Sequence, residues 1–175
     1  MVKRMKQLYN ALTAKFNFAE VLYIRALLND AETQLFFQMG VAEQIHAVNT
    51  AKTVEKLLEK AVKSMDRKIL LKAALLHDAG KIQGSMKLWH KSACVLLDRF
   101  CPRKAQRLAS FEQPKGSLAY ALYVYYHHPR IGARKLEKIS GDYRLCALVR
   151  FHHEKKGPEK IANELYYLKS ADEMC

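Results

Sequence analysis

Residues 66–81 read DRKILLKAALLHDAGK, and this stretch decides the fold. Asp66 stands where a helix N-cap belongs, because its carboxylate can accept from the unpaired N–H groups of a first turn. From Ile69 to Leu76 only Lys72 interrupts an apolar run. A helix of that composition is too apolar to lie on a surface, so other elements must surround it. His77 and Asp78 follow at once, and then Gly80 and Lys81. A buried helix therefore delivers an imidazole and a carboxylate at its C-terminal end.

Outward from this helix the spacing stays helical. Val21, Ile24, Leu27 and Leu28 share one face, as do Ile45, Val48, Val54, Leu57 and Leu58. No Asn-Gly or Asp-Gly pair separates alternating runs, so hairpin signals are absent. The expected class is all-α. Breaks fall at Gly40, Gly80 to Gly84, Pro102, Pro114 to Gly116, Pro129, Ser140-Gly141 and Gly157-Pro158, dividing the chain into about seven helices. Pro129 reads as a helix start, with His128 at its opening. Residues 1–40 read as a helical extension packed on a main domain of residues 41–175. Trp89, beside Leu88, Val95, Leu96 and Leu97, reads as core or near-core.

The chain has 175 residues, which suits one compact domain. Half of the residues are apolar and 27% are charged, a globular composition rather than a disordered one. The 4 cysteines contain no C-x-x-C pair, which argues against a disulfide scaffold or an all-cysteine zinc site. Phe18 to Leu28 is broken by Glu20 and Arg25 and is too short to span a bilayer. MVKRMKQLYNALTAKF is basic but leads into no apolar core of signal-peptide length, so no membrane is expected and the expected location is cytoplasmic. A net charge of +13 favours anionic partners: nucleic acid, an acidic surface or a phosphorylated small molecule. The same charges also serve a chain that merely solvates its helix faces.

Seven histidines are present: His46, His77, His90, His127, His128, His152 and His153. Imidazole and carboxylate are the donors that a transition metal uses when water must remain a ligand. His46 lies early in a helical stretch, and His77-Asp78 closes the apolar helix. His152-His153 ends LCALVRF, and Asp172 lies in LKSADEM near the C-terminus. Helix ends can converge on one point while the helix bodies pack.

The sequence resembles the HD-domain metal-dependent phosphohydrolases of the HDIG group, related to the HD-GYP proteins. His77-Asp78-Ala79-Gly80-Lys81 is similar to the group's H-D-I-G-K, and His128-Pro129-x-x-Gly132 to its H-P-x-x-G. His152-His153-Glu154 is similar to its H-H-E, with His46 as the early helical His and Asp172 as the late helical Asp. The resemblance covers about residues 42–175.

This resemblance implies an all-α helical bundle with a metal site between helix ends. It implies two divalent metal ions, drawn from iron, manganese, zinc and nickel. His46, His77, Asp78 and Asp172 would hold one; Asp78, His128, His152 and His153 would hold the other. A carboxylate can bridge two metals and a neutral imidazole cannot, which gives Asp78 the central role. A pair of ions about 3.5–4 Å apart acidifies a bridging water and neutralises phosphoryl oxygens. Lys81 would place its ammonium on a phosphate oxygen, one helical turn beyond Asp78 if the helix continues. His127 is either a substrate contact or structural, and His90 lies outside every motif. Glu154 either orients a metal-bound histidine or faces solvent. Ala42 stands where some relatives carry a third-metal Glu, and Glu43 is adjacent to it. After His153, HHEKKGPEKIANELYY contains Gly157-Pro158 but no Gly-Tyr-Pro, which counts against cyclic di-GMP as substrate.

Two classes of function follow. One is a hydrolase acting on a nucleotide or another small phosphate ester. The other is a non-catalytic or RNA-directed module that uses RFCPRKAQR at 99–107, RKLEK at 134–138 and the tyrosines 120, 123, 125 and 126. The tyrosines read more simply as core packing. Salt-dependent polynucleotide binding separates the two.

Overall fold

The computed structural model describes residues 18–59, 61, 65–82 and 88–175, so expectations that fall on residues 1–17 and Gly84 lie outside them. Nine α-helices occur among the described residues: α1 Phe18–Leu27, α2 Asp30–Phe37, α3 Val41–Leu58, α4 Arg67–Leu76, α5 Leu88–Phe100, α6 Pro102–Leu108, α7 Leu118–Glu137, α8 Tyr143–Phe151 and α9 Ala162–Glu173. A short 3-10 turn, Glu159–Ile161, leads into α9. The only extended pairing among these residues is an isolated bridge between Met39 and Ile82. The all-α expectation holds, but with more helices than the seven expected.

Local chemistry explains most boundaries. Asp66 caps α4 by accepting from the Ile69 N–H at 3.0 Å. Ser117 does the same for Tyr120 at the start of α7, and Asp142 for Leu145 at the start of α8. Asn29 and Glu32 form a reciprocal capping box on α2. Pro102 occupies the first turn of α6, where its missing N–H costs nothing.

α4 lies at the centre. Leu70, Leu71, Ala73, Ala74, Leu75 and Leu76 are all buried, as its composition requires. Val21, Ile24, Leu28, Leu35, Phe36 and Met39 from the region of α1 and α2 belong to the same core as α3, α4, α8 and α9. A second, smaller core joins α5, α6 and the first half of α7 through Cys94, Ala105, Ala109, Ala121 and Leu122. The long helix α7 passes through both cores.

Two expectations are corrected. Pro129 does not start a helix; it lies inside α7, with His128 ahead of it in the same helix. Trp89 is 57% exposed rather than core. α5 is apolar on two faces. The face that packs inward carries His90, Cys94 and Leu97, leaving Trp89, Leu96 and Phe100 outward. Ile45, expected on the inner face of α3, is likewise exposed.

Candidate metal centre

Three histidines are fixed in the same way. His77 is the C-cap of α4, and its Nδ1 lies 2.9 Å from the Ala74 carbonyl. His152 is the C-cap of α8, with Nδ1 2.7 Å from the Val149 carbonyl. His128 Nδ1 lies 2.8 Å from the Tyr125 carbonyl. A carbonyl only accepts, so each Nδ1 carries the proton and donates, and each ring in its neutral form presents a bare Nε2 lone pair.

At helix ends such carbonyls are free because no further turn uses them. His128 lies mid-helix, where a carbonyl is normally taken by the N–H four residues on. For Tyr125 that residue is Pro129, which has no N–H. Pro129 therefore makes inside α7 the acceptor that His77 and His152 find at helix ends. The proline read from the sequence as a boundary is a device for orienting the preceding histidine.

Two glycines bring these segments together. A Cβ on Gly80 would stand 2.1 Å from the His128 carbonyl oxygen, so no side chain fits there. A Cβ on Gly132 would stand 3.0 Å from the Gly80 nitrogen and 3.3 Å from Val149 Cγ1. The turn after α4, the middle of α7 and the end of α8 can meet only because both positions lack side chains.

The donors converge in two groups that could each hold a metal ion: His46, His77 and Asp172, and His128, His152 and His153. His77 and His152 connect the groups, with ring centroids 5.2 Å apart. Asp78 lies between them. Its Oδ2 is 3.7 Å from His77 Nε2, and its Oδ1 is 3.2 Å from His128 Nε2. Asp172 Oδ1 is 2.8 Å from His46 Nε2 and 3.4 Å from His77 Nε2.

His77, Asp78, His128 and His152 are each 4% exposed or less. The Nε2 atoms of the three histidines are buried without a hydrogen-bond partner, and Oδ1 of Asp78 has an ion pair with Lys81 but no hydrogen bond. Of the separations just given, His46–Asp172 is also a hydrogen bond, whereas those from Asp78 to His77 and His128 and from Asp172 to His77 satisfy an ion-pair distance alone. The ring lone pairs of the three histidines therefore stay unsatisfied in a buried setting, which is costly unless a cation lies among them. The donor set thus fits divalent metal.

Protonation preferences agree. Burial lowers the pKa of His128. Burial and neighbouring imidazoles hold His152 well below the usual range, and burial with His128 pushes His153 down to about 4. These rings are neutral near pH 7, as ligation requires. Burial works against ionisation of Asp78, but His77, Lys81 and His128 outweigh it and keep the carboxyl well below its ordinary value. Burial would lower His77, yet Asp78 and Asp172 raise it, which marks the point between them as favourable for positive charge.

The other sequence candidates fall as follows. α4 stops at Leu76, and Lys81 folds back so that its Nζ lies 2.9 and 3.0 Å from the two oxygens of Asp78. His127 joins neither group; its Nε2 lies 3.0 Å from the Ala109 carbonyl. His90 is buried beside Trp89. Glu154 is about half-exposed and 3.7 Å from Arg130. Glu43 pairs with Lys91 of α5. The backbone acceptors at Ala74, Tyr125 and Val149 were missed in the sequence. The available signals were Pro129 for one and a histidine just past a helix end for the others.

The model of the HD domain family matches residues 44–175. No curated protein and no solved structure matches the chain.

Proposed function

The chain belongs to the HD domain family, which is in general one of metal-dependent hydrolases, and on that premise we propose a phosphohydrolase with a two-metal centre. The substrate class is a small phosphate ester, most simply a nucleotide. The observation that carries the reading is the set of buried Nε2 atoms without a hydrogen-bond partner that converges on the Asp78 carboxylate. On this reading the chain is of the HDIG type, with Ala79 in place of the motif's Ile and without the Gly-Tyr-Pro loop.

His46, His77, Asp78 and Asp172 would hold one divalent ion, and Asp78, His128, His152 and His153 the other. Bound there, the pair supplies a hydroxide near neutral pH and a counter-charge for the phosphoryl oxygens. The chain does the rest. Asp78 offers one oxygen toward each donor group, so it alone can serve both. The carbonyls of Ala74, Tyr125 and Val149 hold the three rings in the tautomer that ligates and limit their rotation. Lys81 pairs with Asp78, whose ionised form His77 and His128 also favour. The flexible stem and three donors of Lys81 let it turn to a phosphate oxygen when substrate enters.

The test is elemental analysis of anaerobically purified protein, followed by a phosphate-release screen over nucleotides and dinucleotides. The reading expects bound divalent metal and release that is lost with a chelator and regained with metal. Metal-independent release, or metal-loaded protein that hydrolyses none of these esters, contradicts it.

A further inference from the structure

A cavity of about 310 Å³ opens between α7 and the turn at Gly80 and Ile82, and none of the metal-donor residues lines it. Four cations do: Lys115, Arg134, Lys135 and Lys138, against the one carboxylate of Glu112. Among the described residues none of the four is ion-paired. Lys135 is half-buried, and burial together with the charge of Lys115 lowers its pKa. Its Nζ makes only a long contact, 3.4 Å, to the Ala79 carbonyl. Unpaired like charges held around one concavity repel one another until an anion enters.

We propose that this cavity is a binding site for a diphosphate group, separate from the metal centre. Its volume lies at the lower end of the range for small-ligand sites, which suits a diphosphate rather than a dinucleotide. Three or four ammonium and guanidinium groups match the several charges of a diphosphate, and Arg134 can take two of its oxygens in a fork. The half-buried ring of Tyr123 lines the same wall and offers a surface for a base, if the diphosphate belongs to a nucleotide. Gly80 also lines the cavity, so an occupant touches the turn that carries Asp78 and Lys81. The site does not depend on the metal reading.

The test is calorimetric titration of the full chain, as purified with its metal, in physiological salt. The probes are methylenediphosphonate and adenosine 5′-methylenediphosphonate, which resist hydrolysis. The metal centre also takes such probes, so the decisive comparison is with Lys115→Gln/Lys135→Gln. That double variant should lose one class of site, weakened at least about tenfold, with metal content unchanged. Tighter binding of the nucleotide analogue assigns the diphosphate to a nucleotide; equal binding assigns it to the free ion. If the double variant does not fold, Arg134→Gln/Lys138→Gln replaces two exposed side chains and should weaken the same class several-fold. A folded variant that binds both probes like the parent overturns the proposal, and so does a parent with no saturable site beyond the metal centre.

Discussion

Lys81 and Pro129 separate what a residue does for the site from what it does for the fold. Lys81 touches Asp78 but offers no lone pair to a metal while charged. Lys81→Ala should therefore keep its metal and lose about 10²–10³ in rate, the usual effect of removing one electrostatic donor. Loss of metal in that variant would move Lys81 into the structural framework. Pro129→Ala restores an N–H that competes with His128 for the Tyr125 carbonyl. Thermal melting should show no loss of stability, since proline is the poorest residue inside a helix. Metal affinity should nevertheless fall about 10–100-fold, the scale for disturbing a residue that orients a ligand. A stable variant with parental metal affinity would remove Pro129 from this role. Gly80→Ala carries the opposite sign for the fold. Its methyl meets the backbone of His128, which cannot turn aside, so stability should drop by about 1–3 kcal/mol or more and metal should be lost with it.

Among the elements, α2, α4 and the end of α7 are tied by one buried carboxylate. Glu32 is fully buried and accepts from Lys72 Nζ at 2.7 and 2.9 Å, from Ser140 Oγ at 3.0 Å and from the Asn29 N–H at 2.9 Å. Glu32→Ala leaves the half-buried Lys72 without its partner and removes the acceptor of Ser140 and Asn29, and denaturant unfolding should show a loss of about 2–4 kcal/mol. Burial pushes the Glu32 carboxyl up, but Lys72, Asn29 and Ser140 more than offset this and hold it below its ordinary 4.5. Its contribution is therefore complete above pH 4.5 and fades as pH falls below it. A metal-free Glu32→Gln variant whose acid unfolding matches the parent would contradict this. The sequence exposed α4 and its cap because apolar density and an acidic cap are local signals. It did not expose the Glu32 partnership, because Asn29-x-x-Glu32 reads as a surface capping box and Lys72 lies 40 positions away. α5 misled for a related reason: with two apolar faces, only the neighbours decide which one turns inward.

On the scale of the whole molecule, the ordered motif residues were legible because a metal site needs particular donor types. Their convergence was expected from the family resemblance, but the means were not legible: Gly80 and Gly132 let three segments touch, and backbone carbonyls that no side chain announces orient the rings. Among the described residues, those from Val21 to Met39 contribute to the same core as the later helices. Ile24, Phe36 and Met39 are fully buried in the main core, and each is worth about 1.5–3 kcal/mol when buried. Deleting residues 1–38 should lower the melting temperature and expose apolar surface; an unchanged melting temperature would make them a detached cover. Everything proposed for the site rests on Asp78 serving two donor groups, and the metal content of Asp78→Asn tests that most directly. Elemental analysis of parent and variant, purified anaerobically side by side, should find two divalent ions per chain in the parent and a marked loss in the variant, with phosphate release falling in step. A variant that keeps two ions and normal release, or a fully active parent with a single ion, contradicts the shared carboxylate.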